Sequence, residues 1–128
     1  MIKLPVRQLV ELILRSGDID SGYVSRDRMQ QGAKAHRYLQ QRNRRLYKDY
    51  QSEVWLTLEY DHDGIGYLLE GRADGLFRLE EKYVIDEIKT TTLPLEQINE
   101  DFNDTHWAQA KCYAFMLGVR NNLRQVDV

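Results

Sequence analysis

Apolar positions along this chain change period several times, and each change marks an element. Val6, Leu9, Val10, Ile13 and Leu14 recur at helical spacing, which predicts a first helix from Pro5 to Arg15. Pro5 suits an early helical position and Gly17 a C-cap. Gly17 to Tyr23 is rich in Gly, Asp and Ser and reads as a solvated turn. Asp18 and Asp20 lack the twelve-residue pattern of a calcium loop. Ser25 can cap a second helix running to about Arg45, with Met29, Gly32, Ala33, His36 and Leu39 on one face. Gly32 inside that helix costs roughly 1 kcal/mol relative to Ala, which suggests close approach of a backbone or ligand.

From Glu53 the period falls to two. Val54, Leu56 and Leu58 share one face of a strand over Glu53–Tyr60, and Asp61-His62-Asp63-Gly64 closes a hairpin. A second strand runs from Ile65 through Gly71 and Asp74 towards Phe77. After a turn near Leu79 to Lys82, the aromatic and β-branched run Tyr83, Val84, Ile85 and Ile88 predicts a third strand. Leu93 to Phe102 is a connector or short helix. Asp104 or Thr105 then caps a third helix, from about His106 to Leu117 and ended by Gly118, apolar nearly all round and so expected to be buried. Val126 and Val128 have strand character at the end of the sequence.

This order carries candidate chemistry. Side chains alternate along a strand, so Glu87 and Lys89 project the same way. If the second and third strands pair antiparallel, Asp74 lies beside Glu87, and two carboxylates and an ammonium converge. Carboxylate oxygens suit Mg²⁺ or Mn²⁺, whose shells are completed by water and phosphate, and a nearby lysine can orient a water for attack on phosphorus. Short Asp…Glu-x-Lys sets also occur by chance on soluble strands. His36 shares a face with Gly32; it reads either as a satisfied core histidine or as a metal ligand beside the sheet. His62 between two aspartates is better explained by turn chemistry. Gln109 and Tyr113, one turn apart, either satisfy one another or contact a phosphate. The hydroxyls of Thr90, Thr91 and Thr92 can hydrogen-bond phosphate oxygens.

Charge sharpens this picture. The formal net charge is −2, yet Arg26, Arg28, Lys34, Arg37, Arg42, Arg44, Arg45 and Lys48 face only Asp27, a local charge of +7. A basic stripe beside an acidic site suits a polyanion-handling protein; standing alone it reads equally as a solvated helix face. At 128 residues and 42% hydrophobic content the chain is sized for one domain, residues 1–128, with its own core. A single cysteine, Cys112, excludes an internal disulfide and an all-cysteine metal site. No apolar run approaches the roughly 20 residues of a membrane span, and a signal-peptide pattern is lacking, so no membrane partner and a cytoplasmic location are expected.

Together GAKAH (Gly32 to His36), GRAD (Gly71 to Asp74), DEIK (Asp86 to Lys89) and QAKCY (Gln109 to Tyr113) resemble the RecB-like PD-(D/E)xK nuclease superfamily. The start MIKLPVRQLVELILRSGDID, joined to GRADG, is similar to the N-terminal nuclease-like domain of some bacterial XPD/DinG-type DNA helicases. The resemblance implies an α/β, restriction-endonuclease-like core in the order α-β-β-β-α-β. It implies a mixed sheet flanked by helices, with the last core strand truncated in a fragment of a longer protein or a minimal domain. It implies metal binding by His36, Asp74, Glu87 and the main-chain carbonyl of Ile88, with Mg²⁺ or Mn²⁺ as cofactor. Asp74, Glu87 and Lys89 would be catalytic, and Gln109 and Tyr113 would support the site or the substrate phosphate. Ala73 replaces the motif's proline, Glu87 stands where many relatives carry Asp, and the cysteines of an iron–sulfur cluster are missing, so no cluster is expected. The implied activity is DNA hydrolysis, as an exonuclease on single-stranded or end-bearing DNA, beside a helicase region of the same polypeptide. Arg37, Arg42, Arg44, Arg45 and Thr90 are the DNA-binding candidates, and an exposed sheet edge allows a homodimer. The rival readings are a non-catalytic DNA-binding module on the same scaffold and an interaction domain with no nucleic-acid role.

Overall fold

β3 (Ile65–Leu79) is the strand on which the others are placed. Along one edge β2 (Gln51–His62) pairs with it antiparallel, from Gln51↔Leu76 to His62↔Ile65. The other edge is shared. β1 (Ile2–Pro5) runs parallel over Tyr67–Glu70, and β4 (Lys82–Asp86) runs antiparallel over Gly75–Leu79. β5 (Val126–Asp127) adds to β4 in parallel, completing a mixed five-stranded sheet. The helices are α1 (Val6–Ile13), α2 (Arg26–Leu46) and α3 (Asp104–Arg120). This computed structural model describes residues 1–14, 26–89, 96 and 104–128. The expected Gly17–Tyr23 turn, the Ser25 cap, Thr90 to Thr92 and most of the 93–102 connector lie outside the described residues.

Two tight turns set the register. Asp63 and Gly64 both take positive φ, 50° and 77°, the backbone of a two-residue hairpin whose twist matches its strands. Glu80 and Glu81 do the same between β3 and β4, with φ 51° and 69°, although neither residue favours it. The core lies where α1 and α3 pack on the sheet. Val6 and Val10 meet Leu56, Ala73, Ile85, Tyr113, Met116 and Leu117, and Val6 and Met116 are fully buried.

The architecture is mixed α/β, with helices flanking a sheet, as the resemblance implies. Several details differ. Pro5 ends β1 and stands as the N-cap of α1, so the first helix is preceded by a strand that the periodicity does not predict. Ile13 is exposed rather than on the packed face. On α2, Met29 and Ala33 are exposed, while the buried positions are the polar Gln40 and Asn43. That helix is held by hydrogen bonds rather than by an apolar stripe. α3 continues through Gly118 to Arg120 and is closed by Asn122 at φ 53°, with Asn121 N–H donating to Leu117 O at 3.0 Å. Nor is α3 buried all round: Trp107, Phe115 and Val119 are exposed. β4 stops at Asp86, short of Ile88, for a reason that lies in the site itself.

Candidate metal centre and cleft

The β3–β4 pairing ends at Gly75↔Asp86, so the next positions outward are Asp74 and Glu87. From there the backbone of the second strand leaves the ladder and bonds to side chains. Ile88 N–H donates to Asp74 Oδ2 at 2.7 Å, and His36 Nε2 donates to Ile88 O at 2.7 Å. The same His36 Nε2 is 3.5 Å from Asp74 Oδ2. An imidazole nitrogen, a carboxylate oxygen and a main-chain carbonyl therefore meet, drawn from positions 36, 74 and 88. These two separations from His36 bracket the roughly 3 Å between adjacent oxygen or nitrogen ligands of an octahedral ion bound at 2.0–2.1 Å. Ligation through Nε2 would require its proton to move to Nδ1, because the bond to the carbonyl needs the proton on Nε2.

Glu87 is the electrostatic focus. Its Oε2 is buried without a hydrogen-bond partner, and its Oε1 lies 3.9 Å from Lys89 Nζ. Burial, then a hydrogen bond to Asp74 and the charge of that carboxylate, raise its pKa from the ordinary 4.5 to about 9, against the opposing pull of Lys89. Two acids thus stand side by side, one with a buried oxygen that has no hydrogen-bond partner. Among the described residues, no group of three or more His, Cys, Asp or Glu side chains is arranged as a finished metal cage. The donor chemistry nonetheless fits a hard divalent ion: two carboxylates, one imidazole and one main-chain carbonyl.

The supports come from both helices. Gln40 Nε2 donates to Asp74 O at 2.9 Å and to Glu53 Oε1 at 3.0 Å, tying α2 to the strand that carries the first acid. Asn43 Nδ2 and Tyr50 Oη both donate to Asp86 Oδ2, at 3.0 and 2.9 Å, which fixes the residue before Glu87. Burial and the Asp86 carboxylate push the Tyr50 hydroxyl pKa well up, so it remains a donor. Gly71 and Gly75 flank Asp74 and admit one tyrosine each. A Cβ at Gly71 would stand 2.6 Å from the Tyr113 ring, and one at Gly75 would collide with Tyr50. On the α3 side, Lys89 Nζ donates to Gln109 Oε1 at 3.1 Å, and Gln109 Nε2 donates to Tyr113 Oη at 3.5 Å. Burial raises the Tyr113 pKa, opposed by the hydrogen bond from Gln109.

These groups open on a cleft of about 470 Å³. His36, Asp74, Glu87, Lys89, Gln109 and Tyr113 all line it, so six of the residues singled out in the sequence come together. Ile88 is buried behind them and reaches them through its backbone. Arg37, Arg42, Arg44 and Arg45 do not line the cleft. All four are exposed on α2, where Arg42 bonds Asn43 Oδ1 at 3.4 Å and Arg44 bonds the Ser52 hydroxyl. Besides Lys89, the cations that line the cleft are Arg7 and Arg72. His62 lies apart, exposed, stacked on Tyr60 and 3.3 Å from Asp63, as expected of a turn residue. Residues of the site that the sequence did not single out include Arg7, Gln40, Asn43, Tyr50, Glu53, Trp55 and Arg72. Only Arg72, inside GRAD, and Trp55, on the polar side of an alternating strand, left a trace in the pattern.

No family model matches the chain, and no curated protein matches it. Among solved structures it is similar to the crystal structure of SSO0001, at 20% sequence identity and a TM-score of 0.65. The likeness covers 92% of this chain and 58% of that one, and at this identity it is a likeness of fold.

Proposed function

We propose that this chain is a divalent-metal-dependent nuclease domain with a restriction-endonuclease-like core, hydrolysing phosphodiester bonds of DNA in the service of a helicase. One observation carries the reading: His36 Nε2 lies 2.7 Å from Ile88 O and 3.5 Å from Asp74 Oδ2, which itself accepts from the Ile88 amide, beside a Glu87 oxygen that is buried and unpartnered. The order of the motifs on helix, strand, strand and helix supports it, as does the mixed sheet.

His36, Asp74, Glu87 and the Ile88 carbonyl would hold Mg²⁺ or Mn²⁺. When bound, such an ion supplies Lewis-acid stabilisation of charge developing at phosphorus and acidifies water. Lys89, held by Gln109 at the cleft wall, orients an attacking water and balances negative charge on the phosphoryl oxygens. Gln109 and Tyr113 fix the ammonium and close the α3 side against free solvent. Arg7 and Arg72 at the rim neutralise flanking phosphates.

Asp74 is buried and holds the Ile88 amide, so Asp74→Ala would remove a structural bond together with a ligand. Asp74→Asn keeps an acceptor in that place and isolates the chemistry. Asp74→Asn and Lys89→Ala are each expected to lower Mn²⁺-dependent cleavage of a labelled oligonucleotide by about 100-fold or more. Cleavage at the wild-type rate in both variants eliminates the site. The absence of a finished cage among the described residues favours one second reading, a non-catalytic DNA-binding module. Retention of DNA without any Mn²⁺-dependent cleavage by the wild-type chain would establish it.

A further inference from the structure

Trp55 is the largest side chain at the cleft, and it is 58% exposed. Single exposed apolar residues are ordinary, and exposure alone would say nothing. Its placement does. Trp55 sits directly opposite Arg72 in the β2–β3 ladder, so the indole and the guanidinium stem leave the same face as neighbours. Asp74 follows Arg72 by two residues on that strand, about 7 Å further along and on the same side. Along the strand, the Trp55–Arg72 pair and Asp74 are thus two residues apart on one face.

The local backbone is built around this pair. Glu53 takes φ 56° between Ser52 and Val54, in register with Asp74, a conformation that a non-glycine residue adopts only at a cost. In return its carboxylate accepts from Arg72 Nε at 2.8 Å through one oxygen and from Gln40 through the other. Arg72 is thereby anchored beside the indole, and the same glutamate is tied through Gln40 to the backbone of Asp74. A platform and the first acid share one support.

We infer that Trp55 is a stacking platform for an unpaired nucleobase, seating the nucleotide next to the phosphate held at the Asp74–Glu87 end of the cleft. The inference rests on the nuclease reading for the identity of that phosphate. An indole face stacks on any base, which gives little sequence preference, and it needs a base free of its complement. Arg72 beside it contacts the intervening phosphate. The ligand class is single-stranded nucleic acid, DNA or RNA, and fully paired duplex is excluded from the platform.

The test is equilibrium binding of fluorescein-labelled 12-mers, with Ca²⁺ in place of Mn²⁺ to suppress cleavage. Wild type, Trp55→Phe and Trp55→Leu are compared on single-stranded DNA, single-stranded RNA and blunt duplex. Trp55→Leu is expected to weaken single-strand binding by roughly 10-fold or more, while Trp55→Phe retains most of it and duplex binding does not change. An abasic nucleotide scanned along the strand should reproduce the loss at one position in the wild type and at none in Trp55→Leu. The DNA and RNA arms show which sugar the subsite accepts. Equal single-strand affinity in all three proteins overturns the platform, as does an equal loss on duplex or a wild type that does not bind single strands. Mn²⁺-dependent cleavage by the wild type, measured alongside, reports separately on the nuclease reading: cleavage with an inert Trp55 sinks only the platform.

Discussion

At the scale of single residues, the site is defined by one uncomfortable acid. Glu87 keeps its proton well above the usual carboxylate range because it is buried beside Asp74. Between its ordinary 4.5 and about 9 the unfolded chain has released a proton that the metal-free folded chain retains. Stability of the metal-free protein therefore falls as pH rises through that window. Glu87→Gln keeps the shape and removes the titration. In EDTA it is expected to raise the melting temperature by about 4 °C or more near pH 8, and by about 1 °C or less near pH 4. Thermal melts followed by circular dichroism check this, and equal melting near pH 8 would contradict it. The adjacency of Asp74 and Glu87 was legible in the sequence, because strand alternation and one turn position determine it. The structural duty of Asp74 was not. Its bond to the Ile88 amide depends on the chain leaving the ladder one residue after Asp86, and no pattern of apolar positions encodes that departure.

Among the elements, those with a strong apolar period were readable, whereas α2, held by polar contacts, was readable in its span but not in its packed face. β2 and β3 alternate, and their Asp63-Gly64 turn carries residues that tolerate positive φ. β1 is four residues long and ends in Pro5, too short for a period to appear. The inner face of α2 was misread because Gln40 and Asn43, which fasten it to Asp74 and Asp86, look like surface residues in a sequence. Gly118 looked like a stop, yet Asn122 does that work. The Glu80-Glu81 turn has no glycine or asparagine to announce it, and both residues sit in a conformation that penalises a Cβ. Replacing the pair by Asn-Gly is expected to stabilise the protein by about 1–2 kcal/mol in urea unfolding, without altering the site. An unchanged or lower midpoint would mean that the two glutamates make compensating contacts.

Across the whole molecule, the sheet and α2 bring residues 36, 74 and 87 to the lining of one cleft, with Ile88 buried behind them, and Trp55 and Arg72 line it too. The overall α/β class could be read from element order, while the meeting of the four motifs was what the resemblance implied. Which cations face the cleft could not, because the +7 segment lies on α2 while the rim carries Arg7 and Arg72. Lys34, Arg37, Arg42, Arg44, Arg45 and Lys48 of the basic stripe are exposed and able to attract a polyanion over a longer range, in a manner weakened by salt. Binding of a hard cation by the two acids is the point on which the account turns. Isothermal titration of Mn²⁺ into the wild-type chain and Asp74→Asn tests it directly. Saturable binding is expected in the wild type, weakened by about 10-fold or more in the variant. Heats indistinguishable from dilution in the wild type, or an unchanged isotherm in Asp74→Asn, would contradict it.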